Sequence, residues 1–113
     1  MVPAKAGREI PNSMMAKVLR RHGFWNTRIP WKYAIHNERY GTIEVILERD
    51  KERPWITIAK VHIKESNREF EFNSAKKLNE FLSRIEQNTR LYGFSALPGD
   101  YLAKELERIL KNV

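Results

Sequence analysis

Residues 40–72 read Y-G-T-I-E-V-I-L-E-R-D-K-E-R-P-W-I-T-I-A-K-V-H-I-K-E-S-N-R-E-F-E-F. Three runs rich in β-branched and aromatic residues are separated here by two short polar turns, D-K-E-R-P and E-S-N. Runs of this kind, joined by tight charged turns, predict an antiparallel meander in which each strand pairs with the next. Alternation then assigns faces, because successive side chains of a strand point to opposite sides. Ile43, Val45 and Leu47 share a face, as do Trp55, Thr57, Ala59, Val61 and Ile63, and Phe70 and Phe72. The opposite face collects Glu44, Ile46, Glu48, Ile56, Ile58, Lys60, His62, Lys64, Glu69 and Glu71. Cross-strand acid–base pairs account for that mixture. The isoleucines on the same side predict partial cover, by the N-terminal helix or by a second copy.

Upstream, Pro30 interrupts the chain, and a first strand is expected from Trp31 to His36, turning through 37–41 into the next. Before it, Asn12-Ser13 reads as a helix cap, M-M-A-K-V-L-R-R-H as the helix and Gly23 as its stop. Met14, Met15, Val18, Leu19 and His22 form its stripe, with Lys17, Arg20 and Arg21 turned to solvent. Residues 1–11, with Pro3, Gly7 and Pro11 and no periodic pattern, read as a flexible arm. Downstream, Asn73 or Ser74 caps a long helix carrying Ala75, Leu78, Phe81, Leu82, Ile85 and Leu91 on one stripe. Glu80 with Arg84 and Glu86 with Arg90 have the favourable i,i+4 order for surface pairs. A last helix, capped at Asp100, lines up Leu102, Leu106, Ile109 and Leu110 for packing on the same domain. The sum is an α+β domain over 12–113. It comprises a four-stranded antiparallel meander with an N-terminal helix and two C-terminal helices packed on one face.

The chain of 113 residues is long enough for one core, and 42% hydrophobic residues suit a folded domain. It has no cysteine, which excludes a disulfide framework, a thiolate metal site and a cysteine nucleophile. No apolar run approaches the ~20 residues of a membrane span, and the N-terminus has no apolar signal segment. An intracellular, cytoplasmic protein without cofactor is the expectation.

Charge is unevenly spread. Residues 1–40 carry eight Lys/Arg against Glu9 and Glu38, a net +6 out of the total +7. A local excess of this kind attracts polyanions. Between Phe24 and Gly41 the chain interleaves Phe24, Trp25, Trp31, Tyr33 and Tyr40 with Arg28, Lys32, His36 and Arg39. Aromatic faces stack bases at roughly 1–3 kcal/mol each while cations neutralise phosphates. Large aromatics also build small cores, so about half of these rings are expected inside.

No Gly-rich phosphate loop, H-E-x-x-H or G-x-S-x-G is present, and His22, His36 and His62 lie on different elements. Neither a metal site nor a catalytic constellation is indicated.

The strand runs T-I-E-V-I-L-E-R and W-I-T-I-A-K-V-H-I-K, followed by F-E-F-N-S-A-K-K-L-N-E-F-L, resemble the four-strands-then-helix unit of Whirly proteins and single-strand-binding transcriptional coactivators. That resemblance covers about half the chain and implies binding of single-stranded nucleic acid and helix-mediated assembly. The segment K-V-L-R-R-H-G-F is similar to the first helix of HicA-type messenger-RNA-cleaving toxins, whose histidine maps most nearly to His36.

Three functions are therefore carried forward. The first is a non-catalytic nucleic-acid-binding protein, possible as a homodimer. It uses Lys17, Arg20, Arg21, Trp25, Arg28, Lys32 and Arg39 for DNA or RNA, single-stranded or structured, largely without base readout. The second is an adaptor or inhibitor that sets the same basic front against an acidic protein surface. The third is a small ribonuclease using His36.

Overall fold

The computed structural model describes residues 14–94 and 96–113. The chain runs through helix α1 (Met14–Arg21), strands β1 (Trp25–Asn26), β2 (Lys32–Asn37), β3 (Gly41–Arg49), β4 (Thr57–Ile63) and β5 (Arg68–Phe72), then helices α2 (Ala75–Tyr92) and α3 (Gly99–Lys111). The five strands form one antiparallel sheet in sequence order, β1-β2-β3-β4-β5. The meander is confirmed and gains a strand: Trp25 and Asn26 pair with Ala34 and Tyr33. A two-residue edge strand is too short to leave a periodic signal in the sequence.

The expected faces hold. Ile43, Val45 and Leu47 of β3 and Ala59, Val61 and Ile63 of β4 are buried together with Phe70 and Phe72. Registers such as Ile43 with Ile63 and Val45 with Val61 place these side chains opposite one another. Phe81 of α2 packs its ring against Phe70 and Phe72, at centroid distances of 5.3 and 5.1 Å. Met15, Val18 and Leu19 of α1 and Leu102, Leu106 and Ile109 of α3 join the same core. All three helices thus cover the inner face, and α1 does not reach the outer one, where Ile46 remains 41% exposed.

On the outer face the acid–base pairing is diagonal. Glu44 faces His62 and Ile46 faces Lys60 in the register, yet the ion pairs are Lys60–Glu48 (2.8 Å), Lys64–Glu44 (3.6 Å) and Lys32–Glu44 (3.5 Å). Long lysine side chains reach the diagonal neighbour on β3, while Lys60 and His62 directly oppose Glu71 and Glu69 on β5.

Several local expectations are corrected. The strand expected from Trp31 is β2 and begins at Lys32; Trp31 precedes it in a left-handed conformation (φ 62°). Trp55 is exposed in the β3–β4 turn, because β4 begins only at Thr57. There Asp50 Oδ1 accepts the amides of Glu52 and Arg53, and this turn occupies the residues that alternation had given to the strand. Ser74 caps α2 through the amide of Lys77, and Gly93 (φ 73°) closes it. Leu91, in the last turn, leaves the buried stripe and is exposed. Asp100 is not the cap of α3; Pro98 precedes the helix and Asp100 lies in its first turn, where an acid suits the dipole. Neither expected surface pair on α2 forms, since Glu86 bonds His22 and Arg84 makes no ion pair among the described residues. The 1–11 arm and the Asn12-Ser13 cap lie outside the described residues. Among the described residues no helix is long and apolar enough to cross a membrane.

Gly99 shows how tightly α3 is seated: a Cβ there would stand 2.6 Å from the carbonyl oxygen of Glu65 in the β4–β5 turn. An ion pair of 3.2 Å between Arg68 and Glu107 joins the same two regions.

Candidate nucleic-acid interface

Helix α1 has one apolar side, Met15, Ala16, Val18 and Leu19, all buried. Lys17, Arg20 and Arg21 occupy the other side by the i,i+3,i+4 spacing and are exposed. The helix stops at Gly23 (φ 89°), where a side chain would be strained and its Cβ would press on Ile35 Cδ1 at 3.3 Å. The amide of Phe24 then donates to the Leu19 carbonyl (3.0 Å), so α1 turns directly into β1 with Phe24 buried and Trp25 exposed.

His22 pins this corner. Its ring, in the stripe expected to be apolar, has Nδ1 2.9 Å from Glu86 Oε2 and Nε2 2.8 Å from Asn79 Oδ1, both on α2. The inner side of α1 is therefore anchored by a polar clasp as well as by packing, and its cations stay on the outer side.

The link between β1 and β2 is similarly ordered. The Thr27 amide donates to the Lys32 carbonyl (2.9 Å), and Thr27 Oγ1 accepts the Ile29 amide (3.1 Å). This turn presents Arg28 and Ile29 to solvent. Trp31 packs partly buried against the core, and its carbonyl accepts the Leu47 amide at 2.9 Å.

The seven positions singled out in the sequence separate into four groups. Lys17, Arg20, Arg21 and Arg28 are exposed and make no ion pair among the described residues. Trp25 is 53% exposed on β1, directly opposite Ala34. Lys32 is half-buried and spent on Glu44. Arg39 is removed altogether: it is buried, its Nε and Nη2 donating to Glu105 Oε1 and Oε2 at 2.7 and 2.8 Å.

The turn that inverts Arg39 is set by Asn37. Its Oδ1 accepts the amides of Arg39 and Tyr40, both at 2.8 Å, and Gly41 (φ 81°) completes the reversal. The Tyr40 hydroxyl donates to Glu105 Oε1 and accepts from Asn88 Nδ2 at 3.2 Å. The Arg39 guanidinium also lies 4.8 Å from the centre of the Tyr92 ring. The hydrogen bond from Arg39, opposed by burial and aided by Tyr40, holds the Glu105 carboxyl below the usual carboxylate range. Burial, and then the bond to Glu105, push the Tyr40 phenol above its usual range. The partner of Arg39 lies 66 residues away in sequence, so nothing near Arg39 in the chain marks it as structural.

His36 is exposed on β2, opposite Thr42, and its imidazole makes no hydrogen bond among the described residues. No group of three or more histidine or acidic residues placed to hold a metal occurs among the described residues. Met14, expected in the apolar stripe of α1, is instead exposed, as is Ile29, and the two lie on the elements that carry the exposed cations. Comparison with protein-family models, curated proteins and solved structures returns no match for this chain.

Proposed function

We propose that this protein binds nucleic acid through α1 and the β1–β2 turn. Lys17, Arg20, Arg21 and Arg28 neutralise phosphates, and Trp25 offers a stacking face. The observation that carries the reading is the contrast in pairing. Acidic residues pair with Lys32, Lys60, Lys64, Arg68 and Arg39, whereas these four are exposed and form no ion pair among the described residues. No acidic residue lies between Glu9 and Glu38, so this surface draws no carboxylate from its own elements. Exposed cations without a fixed set of polar groups favour the backbone over base edges, so binding is largely independent of sequence.

The test is fluorescence anisotropy with labelled single- and double-stranded DNA and RNA across a salt series. Four phosphate contacts give a log–log salt slope of about −3 on single strands and about −3.6 on a duplex. Tryptophan quenching on binding reports the contact of Trp25. Absence of binding at low salt removes the proposal.

One observation favours a second reading. Met14 and Ile29, 48% and 56% exposed, put apolar contact area among the cations, as a surface for an acidic protein would. Salt-sensitive capture of an acidic protein, without nucleic-acid binding, selects that reading. Assembly as a homodimer remains part of the proposal, with sedimentation as its measure.

A further inference from the structure

The cleft between α2 and α3 holds a cavity of about 310 Å³, a volume at the lower end of small-molecule sites. Its floor is the Arg39–Glu105 pair, and Arg84 of α2 and Arg108 of α3 stand in its lining. Three guanidiniums and one carboxylate therefore line it, a net charge of +2. Glu105 accepts its three hydrogen bonds from Arg39 and Tyr40, and neither Arg84 nor Arg108 forms an ion pair among the described residues, although the charge of Arg108 helps to hold the Glu105 carboxyl down.

Arg108 has a structural reason to be where it is, since it lies in the last turn of α3, where a cation complements the helix dipole. Arg84 has none. It lies mid-helix with Glu80 one turn earlier, in the order that favours pairing, yet it forms no ion pair. Instead it lines this cavity together with the amides of Gln87 and Asn112 and the half-exposed ring of Tyr101. Two guanidiniums that form no ion pair among the described residues and line one preformed hollow with neutral hydrogen-bond donors suit an oxyanion.

We infer that the α2–α3 cleft is a phosphomonoester-binding site, with Arg84 and Arg108 as its ligands to the phosphate oxygens. The charge selects the class. A phosphomonoester carries about −1.5 to −2 at neutral pH and matches the net charge of the site, whereas a carboxylate or phosphodiester leaves one guanidinium unanswered. Both a free nucleotide and the phosphorylated end of a strand present this group. The site is distinct from the α1 surface.

The experiment is calorimetric titration of the full chain with inorganic phosphate, adenosine 5′-monophosphate and adenosine. Matched oligonucleotides bearing a 5′-phosphate or a 5′-hydroxyl are measured alongside. The expected result is binding of the phosphorylated probes and none of adenosine. Arg84→Gln and Arg108→Gln should each weaken it about tenfold or more. Both side chains are exposed, so circular dichroism should be unchanged, melting should shift by no more than the small dipole contribution of Arg108, and binding of the 5′-hydroxyl oligonucleotide should survive. If only the 5′-phosphorylated strand binds, and Arg84→Gln removes its advantage, the site reads a chain end. If free nucleotide binds as well, it reads the phosphate itself. No binding of any phosphorylated probe at millimolar concentration, or binding indifferent to Arg84→Gln, overturns the inference.

Discussion

Arg39 on the β2–β3 turn and Glu105 on α3 form a buried bidentate ion pair, at 2.7 and 2.8 Å, across 66 residues of chain. Such a pair owes little to net Coulombic gain, because both charges lose their water. Its consequence is structural: the turn, α2 through Asn88 and α3 are fastened at one point. Replacing Glu105 by alanine strands a buried guanidinium and should cost about 3–5 kcal/mol. The double variant Arg39→Met, Glu105→Leu should cost far less than the two single changes together. Urea denaturation of the four proteins measures this coupling, and additive costs would show that the pair does not act as a unit.

The same cluster sets the pH range of stability. The Glu105 carboxyl is depressed, so its contribution is present above the unfolded carboxylate range and is lost as pH falls through the folded value. The Tyr40 phenol is raised, so its contribution is present below the unfolded phenol range, about 10, and is lost as pH rises beyond it. Melting temperature should be level from about pH 5 to 9 and fall on both sides. Tyr40→Phe should flatten the alkaline limb; an unchanged limb would exclude Tyr40 as its source.

On the basic surface, Lys17→Glu, Arg20→Glu and Arg21→Glu together should abolish most nucleic-acid binding. Removing the three cations should lower the salt slope on single strands by about 2. Trp25→Ala should cost about 1–3 kcal/mol while leaving the slope intact, since stacking releases no counterion. Lys32→Ala should have little effect, because Glu44 already holds that charge. Anisotropy titrations at several salt concentrations distinguish these outcomes.

Gly99 tests the seating of α3. The added methyl of Gly99→Ala meets the Glu65 carbonyl oxygen at 2.6 Å, a backbone atom that no change of rotamer moves aside. The helix must shift, at about 1–3 kcal/mol. Urea midpoints check this; an unaltered midpoint would show that α3 has room to move.

The elements that the sequence determined by itself are those whose physics is local. Alternation in 42–63 set the faces of β3 and β4, because a strand's side-chain period requires no knowledge of its partner. The stripe Leu78, Phe81, Leu82 and Ile85 set the buried side of α2 in the same way. The exposure of Lys17, Arg20 and Arg21 follows from helical spacing against Met15, Val18 and Leu19. What only the tertiary structure decided is where each charge and each ring finds its partner. Arg39 looked like Arg28 in the chain, and the two diverge because Asn37 turns one of them toward Glu105. Glu86 looked like a partner for Arg90 and binds His22 because α1 packs on α2. Arg84 was read as half of a surface pair and lines the α2–α3 cavity. Periodicity is written into neighbouring residues, whereas the partner of a polar side chain depends on which distant elements the core brings beside it. The closing of the core therefore determines which cations stay free.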